Sequence, residues 1–111
     1  MIIQNITTSI SRSIIDTVGK TPMVKLNNIE KTDHFNLFGK LEVANPAGSI
    51  KDRTALFIIQ KAMEEGKVKK GDTVIESSSG NMAVGLAQAC LHYGLHLIVV
   101  VDPKLNSHTE K

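Results

Sequence analysis

The sequence predicts an α/β protein with an open parallel three-layer sheet, and three features of its pattern point to that class. From residue 37 onward the periodicity changes in the order strand, helix, strand, helix, strand, as in parallel sheets with crossover helices. The segment 95–101 is almost continuously apolar, as expected for a strand buried on both faces. Turns rich in small residues come directly before both helices of this series.

The composition indicates one soluble domain of ordinary charge. The chain has 111 residues with 13 basic and 11 acidic side chains, which gives a formal net charge of +2. This near balance makes nucleic acid or an anionic membrane surface a poor candidate for a partner. No segment approaches the roughly 20 apolar residues that a membrane-spanning helix needs. We therefore expect a soluble, cytoplasmic protein.

Cysteine and histidine usage argues against a metal site or a disulfide. Cys90 is the only cysteine, so no intrachain disulfide is possible, and its place on an apolar helical face predicts a small core residue. His92 and His96 are four residues apart, but Gly94 is expected to end the helix that would align them. We expect no metal ligands here.

The predicted elements follow one another at short intervals. An N-terminal helix over 9–18 ends at Gly19, and an edge strand covers 23–26. A polar loop then leads to a strand over 37–42, a helix over 49–65, a strand over 73–76, a helix over 81–93 and the strand over 95–101. The predicted apolar faces of the two later helices are Ala55, Ile58, Ile59, Ala62 and Met63, and Ala83, Leu86, Ala87, Cys90 and Tyr93.

Two turns carry the residues that could take part in catalysis or ligand binding. In residues 45–53, NPAGSIKDR, Lys51 lies in the first turn of a helix, where the helix dipole disfavours a cation. It is either a solvated lysine paired with Asp52 or Glu42, or a lysine whose amine is held neutral so that it can react. The second turn, SSSGN at 77–81, offers hydroxyl and N–H donors to a compact carboxylate, although it could also be only a helix cap. Both turns are expected at the carboxyl ends of strands, facing one crevice.

Three motifs of this chain resemble those of a known family. GKTPMV at 19–24, NPAGSIKDR at 45–53 and ESSSGN at 76–81 are similar, in order and spacing, to the N-terminal signatures of the cysteine synthase and cystathionine β-synthase family. The resemblance covers about residues 14–103. It implies an enzyme that depends on pyridoxal 5'-phosphate and has the tryptophan-synthase-β fold type, with an amino acid as its small-molecule substrate, and a homodimeric full-length enzyme.

The resemblance also implies roles for individual residues. Lys51 would hold the cofactor as a Schiff base and then move the Cα proton of the substrate, and Asn81 would hydrogen-bond the 3′ oxygen of the cofactor. The loop that closes on the substrate carboxylate would comprise Ser78, Ser79, Gly80, Asn81 and Met82. The expected reaction is β-replacement on O-acetyl- or O-phosphoserine.

Departures from the family pattern leave alternatives open. Met82 stands where a threonine is common and Ser77 where a proline is common, and with residues 101–104 they resemble the branch that makes a diaminopropionate precursor, N-(2-amino-2-carboxyethyl)-glutamate, from O-phosphoserine and glutamate. A dehydratase or threonine synthase is the alternative within the fold, but SIKDRT at 49–54 lacks the Phe and Gly typical of that group.

The resemblance further implies a division of the chain. Residues 1–41 would pack on the large domain of the enzyme, and residues 42–111 would form most of the small domain. The phosphate-binding glycine-rich loop of the family and its partner for the pyridine nitrogen have no counterpart in these residues. We therefore expect an N-terminal fragment of a longer enzyme, which could by itself be catalytically incomplete.

Overall fold

A computed structural model describes residues 10–27, 29, 34–78 and 80–102. It shows two 3-10 helices, two α-helices and four strands among these residues. In chain order they are a 3-10 helix Ile14–Thr17, β1 Met23–Lys25, β2 Phe38–Lys40, a 3-10 helix Glu42–Ala44, α1 Lys51–Glu64, β3 Thr73–Ser77, α2 Asn81–Tyr93 and β4 His96–Val100.

The strands form two separate pairs. β3 and β4 are parallel, in a register that runs from Thr73 opposite His96 to Ser77 opposite Val100. α2 lies between them in the chain, so β3, α2 and β4 form the expected βαβ unit, and the α/β class is confirmed.

The strand over 37–42 was predicted to be the first strand of the parallel sheet, and this was wrong. β2 does not join β3 within the described residues but pairs antiparallel with β1. The N–H groups of Leu26 and Leu41 continue this ladder by donating to the carbonyls of Leu37 and Pro22, each at 2.9 Å. After β2 the chain enters the 3-10 helix Glu42–Ala44 and a turn, rather than a crossover back to a parallel strand.

The N-terminal helix is shorter than predicted. Residues 14–17 form a single 3-10 turn, and residue 9 lies outside the described residues. A capping box sets this start, because the Asp16 carboxylate accepts from the N–H of Ser13 at 3.0 Å while the Ser13 hydroxyl accepts from the N–H of Ile15. Ile15 is buried, but Ile14 is 60% exposed. The apolar spacing therefore extended the predicted helix too far upstream.

The core lies between α1, α2 and one face of the β3–β4 sheet. Its buried members are Ala55, Ile59, Leu86, Ala89, Cys90 and Leu95, with Val74 and Leu97 of the sheet packed against them. This confirms Ala55, Ile59, Leu86 and Cys90 as core residues. Ile58 and Ala87 were assigned to the buried faces wrongly, since both are exposed.

Close contact between the helices explains which residues are buried. A Cβ on Gly85 would lie only 3.0 Å from the Cβ of Ala55. Such a separation requires small residues at the contact, so Gly85 and Ala89 occupy the seam of α2. Gly94 ends α2 as predicted, in the left-handed conformation with φ of 69°.

The apolar sequence of β4 predicted a strand that is buried on both faces, but the structure shows burial on one face only. Its residues alternate between half-buried and exposed, and Ile98 and Val100 are 51% and 55% exposed. Ile75 of β3 lies opposite Ile98 and is also exposed. One face of the sheet thus packs on the helices, and in the described residues the other face is open.

Candidate active site

Lys51 is the first residue of α1 and its side chain is exposed. Its backbone N–H donates to the Ser49 hydroxyl at 3.1 Å, and the N–H of Gly48 donates to the carbonyl of Asn45 at 2.8 Å. Gly48 has φ of 84°, a conformation that favours glycine and turns the chain into α1. The predicted placement of Lys51 at a helix start is confirmed.

Lys51 has neither of the two carboxylate partners that a surface lysine was expected to use. Among the described ion pairs, Glu42 binds Arg53. Asp52 is buried, and its Oδ2 accepts from the backbone N–H of Ala47 at 2.6 Å. The Lys51 amine forms no ion pair within the described part of the chain. An exposed primary amine is the group that condenses with an aldehyde, so Lys51 fits the cofactor that the motifs imply.

The turn that carries Lys51 is held by Asn45, which is 3% exposed. The side-chain nitrogen of Asn45 donates to the Glu42 carboxylate at 2.8 Å and to the carbonyl of Ser49 at 3.0 Å. Its Oδ1 accepts from the N–H of Gly19 at 2.8 Å. One buried amide therefore connects the Lys51 turn to the segment that precedes β1.

Arg53 makes a second connection to that segment. Its Nη2 donates to the carbonyl of Gly19 at 2.9 Å and lies 3.1 Å from the hydroxyl of Thr21, which itself donates to Glu42 at 2.9 Å. The pKa of Glu42 is lowered from 4.5 to about 2, mainly by the hydrogen bond from Arg53 and to a smaller extent by donation from Asn45 and Thr21. Glu42 is thus a charged acceptor for three side chains.

The sequence assigned no role to Thr21, Asn45 and Arg53, and it named Glu42 only as a possible partner of Lys51. Three of them stand inside the motifs 19–24 and 45–53, and the structure shows that the two motifs are joined by their side chains. We call this group the motif network. The only signal in the sequence that could have suggested this network is that both segments carry family motifs, which indicates that they belong to one site.

The second predicted turn begins α2. Gly80 is the N-cap residue in an extended conformation, and among the described residues no side chain caps the helix there. Asn81 follows as the first helical residue and is exposed, while Ser78 accepts from the N–H of Gly80 at 3.4 Å. Met82 is half-buried and packs against the core. Ser79 was also predicted here and lies outside the described residues.

The two turns lie at the same end of the molecule. α1 and α2 run in the same direction, since a Cβ on Gly85 would be 3.2 Å from the carbonyl of Lys51, while Gln60 donates to the Tyr93 hydroxyl at 2.9 Å further along both helices. Gly85 is one turn from Asn81. Lys51 and Asn81 therefore begin two packed, parallel helices, with the donors of the α2 N-terminus directed to the same side.

The described residues contain neither a metal-binding cluster nor a membrane-spanning helix. No group of three or more histidine, cysteine, aspartate or glutamate side chains is arranged there to hold a metal ion. No helix in those residues is long and apolar enough to cross a membrane.

Comparison with known sequences places the chain beside enzymes of amino-acid metabolism. The family model described as pyridoxal-phosphate dependent enzyme matches residues 14–111. The chain is 47% identical over 97 residues to N-(2-amino-2-carboxyethyl)-L-glutamate synthase of Ralstonia nicotianae, covering 87% of this chain and 29% of that protein. It is 48% identical over 94 residues to a cysteine synthase of Staphylococcus aureus, covering 85% of this chain and 30% of the relative.

Solved structures of the same kind share the fold. O-acetylserine sulfhydrylase isoform 3 of Entamoeba histolytica superposes with a TM-score of 0.89 at 31% identity, covering 99% of this chain and 34% of that one. A hydrogen sulfide-producing enzyme of Fusobacterium nucleatum gives a TM-score of 0.86 at 38% identity, covering 94% and 34%. The chain thus spans about a third of the length of these proteins.

Proposed function

Because this chain belongs to the family of pyridoxal-phosphate-dependent enzymes, we propose that it supplies the lysine and the carboxylate-binding turn of a cysteine synthase-like enzyme. The reaction would replace the β-substituent of an O-activated L-serine. One observation carries the proposal: the exposed Lys51 and the N-terminus of α2 lie at the same end of two parallel helices.

Each residue of the site has a definite task in this proposal. Lys51 holds the cofactor through its amine and, once released, moves the proton at the substrate Cα. The bound cofactor supplies an electron sink for the charge that remains on Cα. The side chain of Asn81 donates to an oxygen of the cofactor. The turn at Ser78, Ser79, Gly80 and Met82 binds the substrate carboxylate, because its N–H groups and the α2 dipole favour an anion.

The role of Lys51 can be tested by covalent capture. Its amine would add to the aldehyde of pyridoxal phosphate with loss of water, and borohydride would then reduce the C=N bond, so that peptide mapping by mass spectrometry identifies the modified lysine. We expect the adduct to concentrate on Lys51 and to vanish from that peptide in Lys51→Ala. Lys61→Ala is a matched control, since Lys61 lies on the same helix and is also exposed. Equal labelling of Lys51 and Lys61 would contradict the proposal.

A second candidate reaction is the synthesis of N-(2-amino-2-carboxyethyl)-L-glutamate, which is favoured by the 47% identity to the Ralstonia enzyme. The two reactions differ in both substrates. The chain, loaded with cofactor, is given either O-acetylserine with sulfide or O-phosphoserine with glutamate, and the amino-acid product is identified by mass spectrometry. Pyruvate as the main product would instead indicate a dehydratase. Labelling of Lys51 without any product would identify a part that binds cofactor but is catalytically incomplete.

The arrangement of the whole enzyme belongs to the same proposal. The division into a large-domain segment, 1–41, and a small domain, 42–111, is supported by the break between the two strand pairs. We propose that the full-length enzyme is a cytoplasmic homodimer that acts on a free amino acid. Light scattering of the full enzyme would test the dimer.

A further inference from the structure

Asp52 is a buried carboxylate that the proposed function does not use. It follows Lys51 directly and is 2% exposed. Its Oδ2 accepts from the backbone N–H of Ala47 at 2.6 Å, while its Oδ1 has no hydrogen-bond donor among the described residues. A buried carboxylate oxygen without a hydrogen-bond donor carries a desolvation cost, so packing alone does not account for a carboxylate at this position.

The start of α1 depends on Asp52 in an unusual way. The N-cap residue, Ile50, has no side chain that could cap the helix. Asp52 instead reaches back from the first turn to Ala47 and closes the loop of residues 47–52. A carboxylate at this place also interacts favourably with the positive end of the helix dipole.

The same contact determines how Lys51 is presented. Successive residues of an α-helix point about 100° apart around its axis. The Cα of Asp52 would be 3.4 Å from a Cβ on Gly85, so this side of the first turn faces α2. Fixing Asp52 between Ala47 and α2 thereby sets the rotation of the turn and leaves the neighbouring Lys51 exposed.

We propose that Asp52 is a positioning residue for Lys51, acting through its hydrogen bond to Ala47. This inference rests on the proposed function of Lys51. Asparagine can make the same hydrogen bond with its side-chain oxygen and has no buried charge. Asp52→Asn therefore keeps the hydrogen bond to Ala47 and the position of Lys51, whereas Asp52→Ala breaks the contact.

Cofactor capture provides the functional readout. In Asp52→Ala, the share of reduced pyridoxal phosphate found on Lys51, relative to Lys61, should fall about fivefold, as expected when one ordinary hydrogen bond is lost. Asp52→Asn should retain the ratio of the unsubstituted chain. The matched control is Asp72→Ala, because Asp72 also accepts a backbone N–H in a turn, that of Lys69 at 3.0 Å, but lies away from Lys51.

Amide hydrogen exchange gives a second readout that needs no cofactor. Exchange at Ala47 should accelerate in Asp52→Ala and remain slow in Asp52→Asn. An unchanged labelling ratio in Asp52→Ala, or loss of Lys51 labelling in a folded Asp52→Asn, would overturn the role of Asp52. If Asp52→Ala does not fold, the Asp52→Asn result decides. If the unsubstituted chain is labelled no more at Lys51 than at Lys61, the proposed function itself is contradicted. The ratio of labelling at Lys51 to that at Lys61, measured before any substitution, distinguishes this case.

Discussion

Arg53 binds both carboxylate oxygens of Glu42, with Nε 2.8 Å from Oε2 and Nη2 3.0 Å from Oε1. Such a two-point contact fixes orientation as well as distance. It matters for Lys51, because Arg53 is two residues further along α1 and Glu42 begins the 3-10 helix before the Lys51 turn. The pair therefore holds both ends of the segment from which Lys51 projects.

The Glu42–Arg53 pair should make stability depend on acid. The pKa of Glu42 is about 2 in the folded protein and 4.5 without these contacts. A depressed folded pKa gives a contribution that is fully present above pH 4.5 and is lost as the pH falls through about 2. Urea unfolding of Glu42→Gln should therefore show a deficit in the free energy of unfolding that shrinks over this range.

Glu65→Gln is the control for that experiment. Glu65 also forms ion pairs, with Lys61 and Lys67, but these lie on the surface. Exposed pairs contribute little, so this variant should lose well under about 1 kcal/mol at neutral pH. A deficit for Glu42→Gln that stays constant between pH 4.5 and 2 would show that the charge of Glu42 does not stabilise the fold.

Gly85→Ala should loosen the contact between the two helices. The added methyl group would lie 3.0 Å from the Cβ of Ala55 and 3.2 Å from the carbonyl of Lys51. Alanine gains up to about 1 kcal/mol of helix propensity, but overpacking costs roughly 1–3 kcal/mol, and backbone atoms cannot rotate away. We expect a lower denaturant midpoint and reduced capture of cofactor by Lys51. A more stable variant would contradict the observed closeness of α1 and α2.

Cys90 should report on opening of the core. It is 1% exposed, and burial raises the pKa of its thiol, so the reactive thiolate is scarce in the folded protein. Alkylation by iodoacetamide should be slow and should accelerate with urea along the unfolding transition. The control is Leu91→Cys in a Cys90→Ala background, since Leu91 is 84% exposed. That thiol should react about 100-fold faster or more, because protection follows the free energy of opening.

The sequence predicted those features that have a local or periodic signal. α1, α2 and the β3–β4 pair follow from apolar spacing, and Lys51 and Asn81 were placed at helix starts by the turns before them. Asp52 was named from the sequence only as a possible partner of a solvated Lys51, and its burial was not predicted. Its burial results from the approach of α2 to α1, which no pattern within α1 records.

The motif network could not be predicted for a related reason. Asn45 meets Gly19 across 26 residues, and Arg53 meets Gly19 across 34. Contacts between polar residues so far apart leave no periodic trace in a single sequence. The pairing of β2 with β1 was missed in the same way, since a three-residue strand has the same pattern whichever neighbour it joins.

These separations also suggest an order of folding. β3, α2 and β4 are consecutive in the chain, so the contacts among them close short loops. The hydrogen bond from Arg53 to Gly19 joins residues that are 34 positions apart. We expect pulse-labelled amides of β3 and β4 to be protected before that of Gly19. We expect α1 to pack on α2 before the turn at residues 45–50 has closed. The surroundings of Lys51 would then be completed in the last step of folding.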